Sequence, residues 1–142
     1  MKPNPITVTF WKYDLGDGWE AWAGKTEVDN DLVSFRLAHP EDFWFHINGL
    51  PGSHVILKFT GDTEDKPEPT RQLKDAAAAI AAYHSKARNA GNVAVTCTKA
   101  KFVSKPKGAK PGSVQVRQTN NLKAKPAIPK PPTDAKIILE YD

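Results

Sequence analysis

The chain has 142 residues, 39% hydrophobic with 13 aromatics, which suits one domain with one core and argues against a wholly disordered chain. No apolar run approaches the roughly 20 residues of a membrane-spanning helix. Met1-Lys2-Pro3-Asn4-Pro5 lacks the apolar segment of a secretory signal, and the single cysteine, Cys97, leaves no internal disulfide, so a cytoplasmic setting is expected. The net charge of +4 hides a segregation: Ala76 to Thr133 holds no acid and 11 basic residues, while the other 84 residues hold all 16 acids and nine bases. Gathered positive charge points to a polyanion, most often nucleic acid. The plainer reading is a soluble, lysine-rich surface.

Ile6 to Trp11 alternates as a strand does, and Asp14-Leu15-Gly16-Asp17-Gly18 is a turn leading to a partner at Trp19–Ala23. Asn30-Asp31 is placed to cap a short helical turn ahead of Leu32–Leu37. Phe43–Ile47 and His54–Phe59 read as strands joined by a turn-rich connection, and Gly61 to Thr70 reads as an exposed loop. A helix is predicted over about 71–89, with Thr70 as N-cap, Asp75 in the first turn, and Lys86 and Arg88 in the last. A strand from Val93 continues toward Phe102-Val103, and Ser113–Gln118 and Lys136–Tyr141 are two more. Between them, residues 120–133 carry four prolines and three lysines and read as extended or partly disordered. The expected fold class is α+β: one domain over 1–142, with a mostly antiparallel, curved sheet packed around one central helix.

Three groups of residues could carry chemistry. On a strand, Asp42, Trp44 and His46 share one face and Phe43, Phe45 and Ile47 the other, which reads as core. The first set could stack on a base and hold a sugar or phosphate. Equally, Trp44 could be buried, with Asp42 orienting His46. Pro51-Gly52-Ser53-His54 could accept a phosphate through backbone N–H groups, or be a turn whose Ser53 caps its own backbone. The loop Lys105–Gly112 holds Lys105, Lys107 and Lys110 between prolines and glycines, either as partly preorganised phosphate contacts or as a solvated turn. The four histidines and Cys97 lack metal-ligand spacing, no glycine-rich nucleotide motif is present, and no cofactor or catalytic role is expected.

These pieces, in this order, resemble the NFACT-R domain, the RNA-binding domain of ribosome quality-control NFACT proteins. The resemblance runs from Ala23-Gly24-Lys25 and Asn30-Asp31-Leu32 through Asp42-Phe43-Trp44-Phe45-His46, Pro51-Gly52-Ser53-His54-Val55 and Ala81–Arg88 to Val103–Val114. Lys25 stands where Arg is expected and Cys97 where Tyr is common. The resemblance implies contact with tRNA or large-subunit rRNA on the large ribosomal subunit, and no catalysis. Lys86, Arg88, Lys105, Lys107 and Lys110 become the expected phosphate contacts. Trp44 and His46 would stack or hydrogen-bond, Asp42 would orient His46, and Pro51 to His54 would complete the site. The length leaves no room for the other domains of such proteins, so a free-standing RNA-binding module is expected. Neither DNA nor a membrane is expected as partner. Two other readings stay open: an enzyme or accessory subunit of tRNA modification using His46, His54 or Cys97, and a protein-interaction module docking through Pro126 to Pro132. Some members of the family carry a fibronectin-binding label, to which nothing in this sequence points.

Overall fold

A computed structural model of the chain describes residues 5–61 and 66–140. Tyr141 and part of the Gly61–Thr70 loop lie outside that range. Among the described residues, seven strands form one antiparallel sheet: β1 (Ile6–Gly16), β2 (Trp19–Gly24), β3 (Phe43–Ile47), β4 (Val55–Phe59), β5 (Val93–Lys99), β8 (Asn120–Ala124) and β9 (Thr133–Leu139). Their spatial order is β8-β5-β3-β4-β2-β1-β9. Two short strands, β6 (Val103–Ser104) and β7 (Gln115–Val116), pair separately. Helices α1 (Glu27–Leu32) and α2 (Arg71–Tyr83) complete the α+β arrangement.

The period-2 alternation of the strands sends apolar side chains to both faces of the sheet. On one face, the alanine-rich stripe of α2 (Ala77, Ala78, Ile80, Ala81, Ala82) packs on Tyr13, Trp19, Phe45, Ile47, Leu57 and Val95. Alanine lets the helix lie close to the sheet. On the other face, Val8, Phe10, Trp44 and Ile56 meet Val33 and Val103. This second layer consists of α1, a π-helical turn (Val33–Leu37) and the β6–β7 ribbon. The α+β arrangement, a mostly antiparallel sheet packed on one central helix, α2, is as expected, and the second layer covers the sheet's other face.

Local details depart from the sequence expectations for identifiable reasons. Thr26, not Asn30-Asp31, caps α1: its hydroxyl accepts from the Asp29 amide, and the Asp29 carboxylate accepts from the Thr26 amide, a reciprocal capping box. Thr70 caps α2 as expected, at 3.2 Å from the Leu73 amide. The helix ends at Tyr83, not near residue 89. Beyond it, the Ser85 hydroxyl donates to the Ala82 carbonyl (2.6 Å) and accepts from the Ala87 amide, turning the chain away from the helix axis. Asp75 and the Lys86–Arg88 pair therefore lie outside the terminal turns. A 3₁₀ turn, Ala100–Phe102, breaks the strand expected to run from Val93 to Val103. Ala100 and Lys101 donate there to the carbonyls of Asp42 and Pro40.

The proline-rich segment is not a loose tail. Residues Asn120–Ala124 pair with β5, the Ala127 amide donates to the Ala79 carbonyl of α2, and Ile128 packs against the core. Strand β9 begins at Thr133, three residues earlier than expected, and pairs along β1 from Ile6↔Leu139 to Lys12↔Thr133.

Candidate nucleic-acid interface

Three segments distant in sequence meet beside β3. Pro51–Ser53 lies against Ser85 and Lys86: Ser53 N–H donates to the His84 carbonyl (2.9 Å), and Lys86 N–H donates to the Pro51 carbonyl (3.1 Å). A β-carbon added at Gly52 would come within 2.8 Å of the Ser85 β-carbon, so this approach requires glycine. The loop between β6 and β7 is the third segment. Asp31 clasps it, accepting from the Gly112 amide (3.1 Å) and from Lys105 Nζ (3.0 Å). Asn30 clasps the Pro51–His54 turn, accepting from the His54 amide (3.0 Å) and donating to the Gly52 carbonyl. The two residues expected to cap a helix thus tie α1 to both neighbouring loops.

The segments enclose an open cleft of about 660 Å³, lined in part by Trp11, Lys25, His46, Lys86, Arg88 and Lys110. Lys86, Arg88 and Lys110 are exposed. The Arg88 guanidinium is held ready: it lies 4.1 Å from the Tyr83 ring centroid, and its Nε donates to the Tyr83 carbonyl (2.6 Å). On another wall Trp11 stacks on His84, with ring centroids 4.2 Å apart and planes within 10°. His84 Nε2 meets the Tyr13 hydroxyl at 2.5 Å. Lys25 Nζ lies 5.4 Å from the Trp11 centroid and 2.6 Å from Asp134 on β9.

The cleft takes its positive charge from lysine and arginine, not from histidine, and among the described residues Glu27 is the one carboxylate in its lining. Burial, then the Arg88 charge, pushes the His84 imidazole down to about 4. Burial also holds His46 below its ordinary value, against backbone hydrogen bonds at Ile47 and Gly52. Both rings are neutral near pH 7.

Of the expected site residues, His46, Pro51, Gly52, Ser53, Lys86, Arg88 and Lys110 line this one cleft. Others do not present the expected chemistry. Trp44 is only 2% exposed, and its Nε1–H donates to Ser34 Oγ (2.8 Å), so its ring is not free to stack on a base. His54 is equally buried, with Nδ1 2.9 Å from the same Ser34 hydroxyl. Burial, then the neighbouring His46, pushes it down to about 4. Asp42 does not orient His46: its carboxylate accepts from Lys58 Nζ and Lys66 Nζ, both at 2.7 Å, and from the His39 amide (2.8 Å). Burial alone would raise its pKa, but these hydrogen bonds together hold it below the ordinary carboxylate value.

Ser53 caps nothing of its own, because its hydroxyl donates to the Gly24 carbonyl (2.6 Å). Lys105 turns inward to Asp31 and to the carbonyls of Lys110 and Ser113, so it organises the loop instead of reaching outward. Lys107 is exposed at the loop's tip, outside the cleft lining. Cys97 is buried in β5, and burial pushes its thiol up to about 11. Sequence reasoning missed Trp11. It sits in an ordinary alternating strand, and nothing local shows that residue 84 will stack on it.

The chain is similar to known proteins in sequence and in fold. Residues 10–118 match the model of the NFACT protein RNA binding domain. The chain is 39% identical over 103 residues to the Rqc2 homolog RqcH of Streptococcus suis (strain 05ZYH33), covering 72% of this chain and 18% of that protein. It is 39% identical over 115 residues to the Rqc2 homolog RqcH of Bacillus subtilis (strain 168), covering 80% of this chain and 18% of that protein. It thus spans less than a fifth of the length of these relatives. The fold is similar to the C-terminal part of the fibronectin/fibrinogen-binding protein from Streptococcus suis, with a TM-score of 0.74 and 32% identity over 89% of this chain and 47% of that one. Strands β8 and β9, which form the two edges of the sheet, lie beyond the matched residues. The chain belongs to the NFACT RNA-binding domain family.

Proposed function

We propose that this protein is a non-catalytic RNA-binding module of ribosome-associated quality control in the cytoplasm, and that its ligand is tRNA or large-subunit rRNA. The observation that carries the reading is the cleft, whose lining brings together Lys86 and Arg88 from one motif and Lys110 from another. Cations fixed by short backbone contacts fit the phosphates of a structured RNA. Membership of the NFACT RNA-binding family and likeness to the Rqc2 homologs RqcH support the setting. The chemistry of the site favours binding over catalysis: two of the three residues of an enzyme reading, His54 and Cys97, are buried.

Crosslinking of the tagged protein in its own cells, followed by sequencing of attached RNA, tests the proposal. Enrichment of tRNA or large-subunit rRNA at defined positions is the expected result. A profile equal to that of an untagged control would overturn it.

A further inference from the structure

The cleft combines charge with exposed apolar surface in a way that phosphate binding alone does not require. Leu50, at its mouth, is 44% exposed. Pro51 and Pro111 are exposed beside it, and Trp11 lies half-buried in the wall. A double helix offers an approaching protein its phosphates, its sugars and the edges of stacked bases, while base faces stay inside the stack. Apolar side chains among the cations gain nothing from such a surface. They do gain from bases that have left a stack, whose faces pack on apolar and aromatic groups while the lysines track the backbone.

Size points the same way. A recess of about 660 Å³ is on the scale of a small-molecule pocket, roughly 300–1,000 Å³, whereas double-stranded RNA is read over a long, shallow footprint of about 16 base pairs. The recess does not end at His46. Past this residue a second concavity of about 320 Å³ opens, lined by Asn48, Thr96, Ser113 and Val114. Its exposed amide, Asn48 Nδ2, rests on Thr96 Oγ1 (3.4 Å) and Asn121 Oδ1 (3.2 Å). Amide and hydroxyl groups at such a rim supply donors and acceptors suited to base edges.

We infer that the cleft takes a short unpaired segment of RNA: bases pack at Leu50, Pro51 and Trp11, phosphates lie on Lys86, Arg88 and Lys110, and a further base edge meets Asn48. The inference rests on the RNA-binding reading of the same cleft and narrows it to single-stranded ligand. Its test is fluorescence anisotropy with a short labelled RNA of mixed sequence, free and annealed to its complement, added to the protein and to two variants. The free strand should bind about tenfold or more tightly than the duplex. Leu50→Ser, at an exposed position, should weaken the free strand several-fold and leave the duplex unchanged. Duplex binding equal to or tighter than the free strand would overturn the inference while leaving RNA binding intact. Leu50→Ser with no effect on the free strand would remove the base-packing role and overturn it as well. Neither RNA binding more tightly to the protein than to a Lys86→Glu, Lys110→Glu variant would overturn the RNA reading itself.

Discussion

Two neighbouring regions carry the family's motifs, and they use them in opposite ways. In the first, Trp44 and His54 lie under the π-helical turn on Ser34 and Asp42 is held by Lys58, Lys66 and the His39 amide, each almost fully buried and each hydrogen-bonded. In the second, Lys86, Arg88 and Lys110 stand in an open cleft, with backbone contacts fixing the segments that carry them. His46 is the seam: it lies at an edge-on angle to His54, 5.3 Å away, and lines the cleft. A motif is thus not a list of ligand contacts. Its most distinctive residues here hold the turn and the second layer in place, and its less distinctive lysines meet the solvent.

The largest effect that could break this comparison is expected at Trp44. Trp44→Ala removes a buried indole and leaves Ser34 one partner short, so chemical denaturation should show a loss of roughly 3–5 kcal/mol. Near-wild-type stability would mean that the buried region is not structural. Asp42→Ala comes next. It leaves Lys58 and Lys66 without their shared carboxylate at 2.7 Å, and the cost should fall near about 3 kcal/mol, the low end for a broken buried pair, because both lysines still reach water. Because Asp42 is held below its ordinary 3.8 in the folded state, its contribution is present above that pH and lost as pH falls below it. A denaturation series in acid should show a steeper loss in the wild type than in the variant, in which Asp29 still contributes.

His54 supplies a milder test. Its folded value of about 4 lies below the ordinary 6.5, so the unfolded chain takes up a proton first as pH falls. Stability is then full above 6.5 and drains between 6.5 and about 4, by roughly 2 kcal/mol at pH 5 relative to pH 7. His84, also at about 4, adds in the same window. Unchanged stability between pH 7 and pH 5 would contradict burial of these rings.

The cleft predicts the converse pattern. Lys86→Glu with Lys110→Glu should leave the melting temperature within a few degrees of wild type, since both side chains are exposed. It should weaken RNA binding and flatten its log–log salt slope by roughly 0.7 for each phosphate no longer neutralised. The smallest effect is expected at Asp134, whose carboxylate holds Lys25 at the cleft edge. Asp134→Asn should change stability by less than about 1 kcal/mol and strengthen RNA binding slightly at low salt. Weaker binding would show that Asp134 positions Lys25 and does not compete for it.

Much of this was legible in the sequence, for physical reasons that differ by element. The Thr70 cap and the alanine stripe of α2 depend on neighbours within one or two turns, so local pattern sufficed. The alternation in β3 correctly separated Phe45 and Ile47 from Trp44 and His46. It could not show that the second face is also covered, because that depends on Val33 and Val103 arriving from elsewhere. The same gap left open whether Trp44 is a platform or a buried residue, and made Asp42 look like a partner of His46. Ser34 and Lys58, their true partners, carry no local mark of that role. For residues 120–133 the prolines and lysines suggest an extended or partly disordered chain; Asn120–Ala124 is extended, but its pairing with β5 is a long-range contact that no local window contains.

The most direct test of the split between a buried motif and an exposed cleft is ultraviolet crosslinking of the purified protein to bound RNA, with the attached peptides identified by mass spectrometry. The account predicts adducts within Leu50–Ser53, Ser85–Arg88 and Lys110–Ser113. Adducts confined to other surfaces, such as β9, with the cleft segments unmodified, would contradict it.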